Sequence, residues 1–470
     1  MRRVRLSQRR PPAILVIVQN LPVPFDRRVW LECLALRAAG FEVSVVCPKG
    51  TNDQAYEVLE GVHIYKYRPA PEARGMVGFV GEFTYSFLAT LRLAVKAWRR
   101  RRFNVIQACN PPDTFWLLAL LFRPFGTKFV YDQHDLCPEL YESRFPNGSR
   151  LVKRVLLGLE RATYRSAHHV IVTNGSYRGK ALQRGNVPED RVTIVRTGPD
   201  PELLAKGPDK AEHLRGFKHL AVYIGVMGPQ DGVDIAIRAA AHLKHELSRK
   251  DIGFTLIGSG DCFEELKGLA ASLAVEDLVH FTGRAPDALV AELMSTASVG
   301  LSPDPKNPLN DVSTMNKTME YMAFGLPVVA FDLTETRVSA EDAAVYAEPN
   351  DVAAFAQAIA DLVDDPDARA VMSQRGRERV ETVLAWPIQS PAYIGVYQSL
   401  TGFHAETIGP AASAMAPHPF PAKDLTITTA PAVVERSVAR SVLSKGTGVG
   451  NGVRVNGVHY LASTEPSGGQ

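Results

Sequence analysis

The run Ala13–Gln19, AILVIVQ, limits the fold more than any other stretch of the chain. An apolar strand without polar alternation is buried on both faces, the habit of a parallel sheet packed between helices. The pattern recurs in EVSVVC, FNVIQAC, KFVYD and HHVIVTN, then in KHLAVYIG, GFTLIG, VHFTG and VVAF, with helical stretches between. Strand–helix–strand succession of this kind predicts an α/β fold of two doubly wound, Rossmann-like domains facing a cleft. No GxGxxG follows the first strand, which argues against a dinucleotide-dependent oxidoreductase.

A length of 470 residues, 46% of them hydrophobic and 22% charged, suits two domains and a tail. A net charge of +3 leaves no nucleic-acid footprint. The five cysteines are scattered without CxxC or zinc spacing, so they read as reduced thiols of a cytoplasmic protein. The segment 1–12 is basic but has no apolar h-region, and no secretory signal is expected. No apolar run reaches roughly 20 residues, so no membrane-spanning helix is expected either. Residues 401–470 are rich in Ala, Pro, Ser, Thr, Gly and Val without periodicity, and a disordered tail is expected there.

The most informative polar residues lie between Val299 and Phe331. This stretch parses as strand, proline-bearing loop, short helix, tight turn at Gly325, and buried strand. Ser313 is the expected N-cap, and Met315, Met319 and Met322 recur at helical spacing on an inward face. Lys317 and Glu320, three apart, share another face near the helix N-terminus. Free N–H groups and the positive end of the dipole suit a phosphate there. A carboxylate one turn further on can accept hydrogen bonds from two neighbouring sugar hydroxyls.

Other candidates sit at predicted carboxyl ends of strands, where open α/β sheets bind ligands. Asp26, Arg27 and Arg28 follow the first strand, either as acceptor or phosphate contacts or as a charged helix start. Asp132, His134 and Asp135 follow KFVYD, and His134 is placed to hydrogen-bond a sugar hydroxyl or a departing phosphate. In the second half the loops after two strands carry Gly225, Gly228, Gly258 and Gly260, where backbone can approach a nucleotide. Arg284 ends a further strand. The stretch from Met76 to Arg102 is largely apolar with a terminal block Arg99–Arg102. It reads either as a helix covering the sheet or as a contact with an anionic membrane at the inner face.

The phrase EYMAFGLPVVA, Glu320–Ala330, resembles the donor-site signature of the family 4 retaining glycosyltransferases, which have the GT-B fold. The resemblance covers about residues 13–400. It implies an acceptor-side domain over 13–198, a nucleotide-sugar-binding domain over 199–385 and a crossover helix over 386–400. It implies that His134 contacts the transferred sugar, that Arg284 lies on the base or phosphate side, and that Asn316 and Lys317 form the N-K-x-x-E variant found in bacterial polysaccharide transferases. Two departures stand out. Val226 and Asp231 occupy the places of the Arg and Lys that grip the pyrophosphate, leaving that task to loop backbone, Lys317 or Arg284. Val312 replaces the first Glu of the Glu-x7-Glu pattern, with Asp311 beside it as a substitute.

The resemblance thus implies retaining transfer from a UDP- or GDP-sugar to an acceptor hydroxyl, saccharide or lipid-linked, in cell-surface polysaccharide or glycolipid biosynthesis. No cofactor and no metal are expected, since a helix terminus takes the cation's role. Two alternatives stay open. A GT-B nucleotide-sugar 2-epimerase would use Asp132, Asp135 and Glu139 as acid and base. A catalytically silent sugar-binding or scaffold subunit would account for the missing Arg/Lys pair.

Overall fold

The computed structural model describes residues 10–50, 52–70, 75–145, 147–404 and the short strands Arg454–Val455 and Val458–His459. Most of the extension 1–12 and of the tail 401–470 lies outside the described residues.

The first domain runs β1 (Ala13–Ile17), α1 (Arg27–Ala38), β2 (Glu42–Pro48), β3 (Tyr56–Leu59) and β4 (Val62–Tyr67). It continues with α2 (Gly75–Arg100), β5 (Val105–Cys109), α3 (Trp116–Phe122), β6 (Lys128–Gln133), α4 (Cys137–Arg144) and α5 (Arg150–Ser166). β7 (His169–Val172), α6 (Gly175–Gln183) and β8 (Val192–Ile194) complete it. The strand order is β3-β4-β2-β1-β5-β6-β7-β8, parallel except for the β3–β4 hairpin. All five residues of β1, an unbroken apolar run, and all five of β5, its Gln107 included, are buried.

The second domain comprises β9 (His219–Ile224), α7 (Val233–His245), β10 (Ile252–Ile257), α8 (Phe263–Ser272), β11 (Val279–Gly283) and α9 (Asp287–Thr296). β12 (Val299–Ser302), α10 (Asn316–Ala323), β13 (Val328–Phe331), α11 (Thr334–Ala340) and β14 (Ala344–Ala347) follow. Its six strands are all parallel, in the order β11-β10-β9-β12-β13-β14. Helices α12 (Val352–Asp364) and α13 (Pro366–Arg379) close the domain. In each sheet the order reverses once, between β1 and β5 and between β9 and β12. Chain connections leave in opposite directions at these points and open a crevice, so the loops after these strands are where a ligand can enter.

The last described helix, α14 (Trp386–Thr401), returns to the first domain. Its Trp386, Tyr393, Val396 and Tyr397 join the same core as Cys33, Leu36 and Phe41. The two chain crossings run side by side: Trp386 N–H donates to Pro199 O at 3.1 Å. A Cβ on Gly198 would lie 1.8 Å from Leu384 O, far inside any real contact. Gly198→Ala should therefore cost about 2 kcal/mol or more, by the strain of forcing atoms into packed space. A urea titration checks this through a lower midpoint.

Candidate active site

Helix α1 starts with Asp26, whose Oδ1 accepts from Val29 N–H at 3.1 Å. That settles Asp26 as a cap. The two arginines that follow point different ways. Arg28 turns under the sheet edge, where Nη2 meets Asp132 Oδ1 at 3.0 Å and Nε meets Glu32 Oε1 at 3.0 Å. Its Nη1 donates to Val195 O and Thr197 Oγ1, both at 2.9 Å. Arg28, Glu32 and Asp132 are all buried. Its Nε–H donates to His134 Nε2 at 3.1 Å. The expected ligand contact at Arg28 is thus corrected: every nitrogen of its guanidinium is engaged inside the fold. Arg27 alone of the three reaches the cleft, with Nη2 3.1 Å from Asp287 and Nη1 3.8 Å from Glu320.

His134 sits just beyond β6, its Nε2 2.8 Å from Asp132 Oδ2 and its backbone N–H on Asn110 Oδ1 at 2.7 Å. Two groups meet His134 Nε2: Asp132 Oδ2 at 2.8 Å, which can only accept, and Arg28 Nε–H at 3.1 Å, which can only donate. The carboxylate contact is the shorter, so we assign the Nε2–H tautomer, with Nδ1 as an acceptor. Burial pushes the Asp132 carboxyl up, but Arg28 and His134 outweigh it and hold the group well below the usual carboxylate range. Asp135 hands its backbone carbonyl to Asn110, and burial pushes its carboxyl up against the pull of His134. Glu32, Cys109, Asp132 and His134 bring four possible metal-ligand atoms together, yet the Arg28 guanidinium already supplies the positive charge among them. Glu139 is tied to Arg184 at 2.7 Å and is no free acid or base.

Across the cleft, the loops after β9 and β10 press on each other. Gly225 and Gly258 have φ of +154° and +137°, and a Cβ on Gly258 would lie 1.8 Å from Gly225 O. The N–H groups of Gly225, Gly228 and Gly258 bond Ile257 O, Asp231 Oδ2 and Gly283 O. These three are therefore not the open phosphate donors that the glycines suggest; they let two backbones pack. A Cβ on Gly260 would likewise crowd Met227 O at 2.5 Å. Val226 stands exposed. Asp231 turns inward, and burial, opposed by Lys317, pushes its carboxyl to about 6.

Lys317 and Glu320 rise from α10, as their spacing predicts. Lys317 Nζ lies 2.5 Å from Asp304 Oδ1 and 5.0 Å above the Tyr223 ring, and Lys317 Cε is 3.6 Å from where a Gly225 Cβ would sit. Burial alone would lower the Lys317 ammonium, but Asp304 and Asp231 overcome it and raise it, so the cation persists. Burial raises Glu320, with Arg27 pulling the other way. The N-cap of α10 is Met315, without a side-chain cap, which corrects the expectation for Ser313. A short 3₁₀ turn, Asn310–Val312, intervenes, and the Ser313 hydroxyl donates to Leu309 O at 2.8 Å and meets Tyr177 OH at 3.0 Å. Asn316 opens the helix and is exposed.

Two other expectations shift. Asp311 does not face the helix with Glu320: its Oδ1 accepts from Thr334 N–H at 3.0 Å at the start of α11. Its carboxylate is used as an anchor there. Arg284 stacks on Phe25 of the first domain at 4.2 Å, spanning the cleft. Further contacts join the domains, with Asn174 Nδ2 on Val312 O and Thr314 Oγ1, both at 3.0 Å, and Ser176 N–H on Glu335 at 2.9 Å. The sequence reading passes over Glu32, Gln107, Asp287 and Asp304. Only Glu32 left a signal, four residues after Arg28 on one helix face.

Two family models match the chain. One described as Glycosyl transferase 4-like domain takes in residues 26–198, and one described as Glycosyl transferases group 1 takes in residues 218–365. A D-inositol 3-phosphate glycosyltransferase of Thermobispora bispora is 23% identical over 391 residues, covering 78% of this chain and 88% of that protein. Sucrose-phosphate synthase from Thermosynechococcus elongatus superposes with a TM-score of 0.67 at 19% identity, over 83% of this chain and 99% of the other. Anabaena HepE in complex with UDP-glucose superposes with a TM-score of 0.61 at 16% identity, over 82% and 99%. The likeness to these two structures is one of fold.

The buried Arg28–Asp132 pair makes a pH prediction. The lowered Asp132 carboxyl stabilises the native state above the unfolded value near pH 4, and that stabilisation is lost as pH falls through the lower folded value. Asp132→Asn should cost about 3 kcal/mol at pH 7, since it strips a buried cation of a partner. The variant should also lose less stability than the wild type on acidification. Urea midpoints between neutral and acid pH check both.

Proposed function

The chain belongs to the GT-B glycosyltransferases of the family 4 type, and from that premise we propose retaining transfer of a sugar from a nucleoside-diphosphate donor to an acceptor hydroxyl. One observation carries the reading. Arg27 and Arg28 are consecutive, yet one reaches Glu320 on α10 and the other reaches the Asp132–His134 pair. The two candidate groups therefore line one cleft from opposite walls.

The diphosphate sits at the uncapped N-terminus of α10 beside Lys317, where helix N–H groups and an ammonium favour negative charge. Lys317 takes the place of the cations that the loop after β9 lacks, and no metal is needed to balance the leaving group. Glu320 accepts hydrogen bonds from ribose or sugar hydroxyls. His134 Nδ1 accepts one from the transferred sugar. The acceptor oxygen attacks the anomeric carbon on the face from which the diphosphate leaves, and the departing phosphate oxygen takes the acceptor's proton. Catalysis then rests on placing two substrates and stabilising charge on the diphosphate. Asp132 and Glu139, bound within the protein, give the epimerase reading no acid–base pair. Family membership favours an enzyme over a silent scaffold.

Peripheral contact with an anionic membrane is part of the proposal. No helix among the described residues is long and apolar enough to cross a membrane. Leu88 of α2, Leu117 and Leu121 of α3, Phe125, and Leu151 and Val155 of α5 are exposed. The only acids on these helices, Glu82 and Glu160, are buried. Exposed apolar side chains on helices that carry arginines and no exposed acid of their own suit anionic headgroups. The block Arg99–Arg102 is partly engaged, since Arg100 bonds Tyr56 OH and Arg101 pairs with Glu42. Such a location fits an acceptor in polysaccharide or glycolipid synthesis.

A thermal-shift panel of UDP, GDP and their hexose conjugates should give one clear responder, stabilised by about 2.7 kcal/mol at 100 times its dissociation constant. With that donor, Glu320→Ala should abolish turnover while the protein stays folded. Retained turnover would remove α10 from the site. Wild-type protein should sediment with anionic vesicles, and Leu121→Asp together with Arg154→Gln should release it; failure of the wild type to bind would refute the membrane contact.

A further inference from the structure

The returning helix α14 reaches further into the first domain than packing requires. Tyr393 and Tyr397, one turn apart and fully buried, both direct their hydroxyls at Gln107 Oε1 on β5, Tyr393 at 2.6 Å. Gln107 is also fully buried, and its Nε2 donates to Glu32 Oε2 at 2.7 Å and to Asp132 Oδ2 at 2.8 Å. Asp132 Oδ2 is the same oxygen that His134 Nε2 meets at 2.8 Å.

We propose that Tyr393 and Tyr397 are positioning residues for His134, acting through the Gln107 amide and the Asp132 carboxylate. This rests on the reading of His134 as the group that contacts the transferred sugar. A carboxamide has two N–H donors and two lone pairs on oxygen, and its two ends differ little in shape. In this pocket two carboxylates wait on one side and two phenol hydroxyls on the other. Only one orientation satisfies all four partners. Both N–H groups then face Glu32 and Asp132, and both lone pairs receive a tyrosine. The reverse orientation would set the amide oxygen against carboxylate oxygens inside the protein, where an unmatched polar contact is costly.

The consequence travels outward by geometry. Gln107 pins Asp132 Oδ2, Arg28 pins Oδ1 at 3.0 Å, and the carboxylate has one plane in which to meet the imidazole. Asp132, at 2.8 Å against 3.1 Å for Arg28 Nε, then holds His134 as the Nε2–H tautomer, with Nδ1 as an acceptor. Without the two hydroxyls, Gln107 Oε1 is left buried with no donor, the amide is held from the carboxylate side alone, and its alignment on Oδ2, with that of the imidazole, loosens. The last described helix, almost 300 residues beyond β5, thereby completes the acceptor-side wall. A first domain without α14 would have the residues of the site but not their alignment.

The test uses the full-length protein, with the UDP- or GDP-hexose that stabilises it most as substrate for slow hydrolysis, water standing in for the acceptor. Imidazole nitrogen NMR assigns His134 by the signals lost in His134→Asn. The wild type should show a neutral Nε2–H tautomer. Tyr393→Phe with Tyr397→Phe should mix tautomers and lower kcat about tenfold or more at nearly constant KM, in line with the penalty for a misaligned group. Each single variant keeps one hydroxyl on Oε1 and should stay within about threefold of wild type. A folded double variant with unchanged kcat, or one whose kcat falls while the His134 signals stay in place, would overturn the proposal. Should the double variant not fold, the wild-type spectrum decides, because an Nδ1–H tautomer contradicts the network. If His134→Asn hydrolyses the donor normally, the sugar-contact reading of His134 fails, while the tautomer measurement still judges the relay.

Discussion

A single buried guanidinium holds the first half of the site together. Arg28 comes from α1, Asp132 from the end of β6, and Val195 and Thr197 from the segment that leads to the second domain. These elements are brought together by one cation that cannot lose its proton and cannot find water. Remove it and two buried carboxylates face each other. Keep it and their geometry follows, because a planar fork has fixed directions. The position of His134, the closure of β8 against β7 and the departure of the chain toward its second sheet all pass through that contact.

The opposite wall solves a charge problem in another way. The loop after β9 has no cation, and Asp231 points inward where a lysine would stand in relatives of the family. Lys317 enters from α10 and lies between Asp304 and the Tyr223 ring. Asp304 is itself held by the Ser302 hydroxyl at 2.8 Å. The positive charge is thus kept near the helix terminus but supplied by a different element. In the site proposed here, a swap of this kind would preserve the field at the diphosphate while changing the residue that makes it.

Much of this was legible in the sequence. Parallel strands buried on both faces write themselves as near-continuous apolar runs, so β1, β5, β9 and β13 could be placed directly. The Lys317–Glu320 spacing and the turn at Gly325 located α10. The hairpin β3–β4 escaped notice because Tyr56–Leu59 is an edge strand, half-exposed, with no apolar run. Ser313 looked like a cap because nothing local announces a 3₁₀ turn. The glycines looked like phosphate donors because a sequence shows the absence of a side chain but not where the N–H goes. Arg28 could not be assigned, since its partner Asp132 lies 104 residues away. Gln107 left no signal, being a lone polar residue inside an apolar strand.

We propose that α10 and Lys317 hold a diphosphate without help from a metal. Titration calorimetry in EDTA tests it most directly, with the nucleoside diphosphate and its parent nucleoside as ligands for wild type and Lys317→Met. The wild type should bind the diphosphate far more tightly than the nucleoside. Lys317→Met, checked by circular dichroism to stay folded with Asp304 unpaired, should weaken the diphosphate by at least about tenfold and leave the nucleoside unchanged, since the nucleoside carries no charge for the ammonium to meet. Equal diphosphate affinity in the two proteins, or binding that appears only when magnesium is added, would contradict the account.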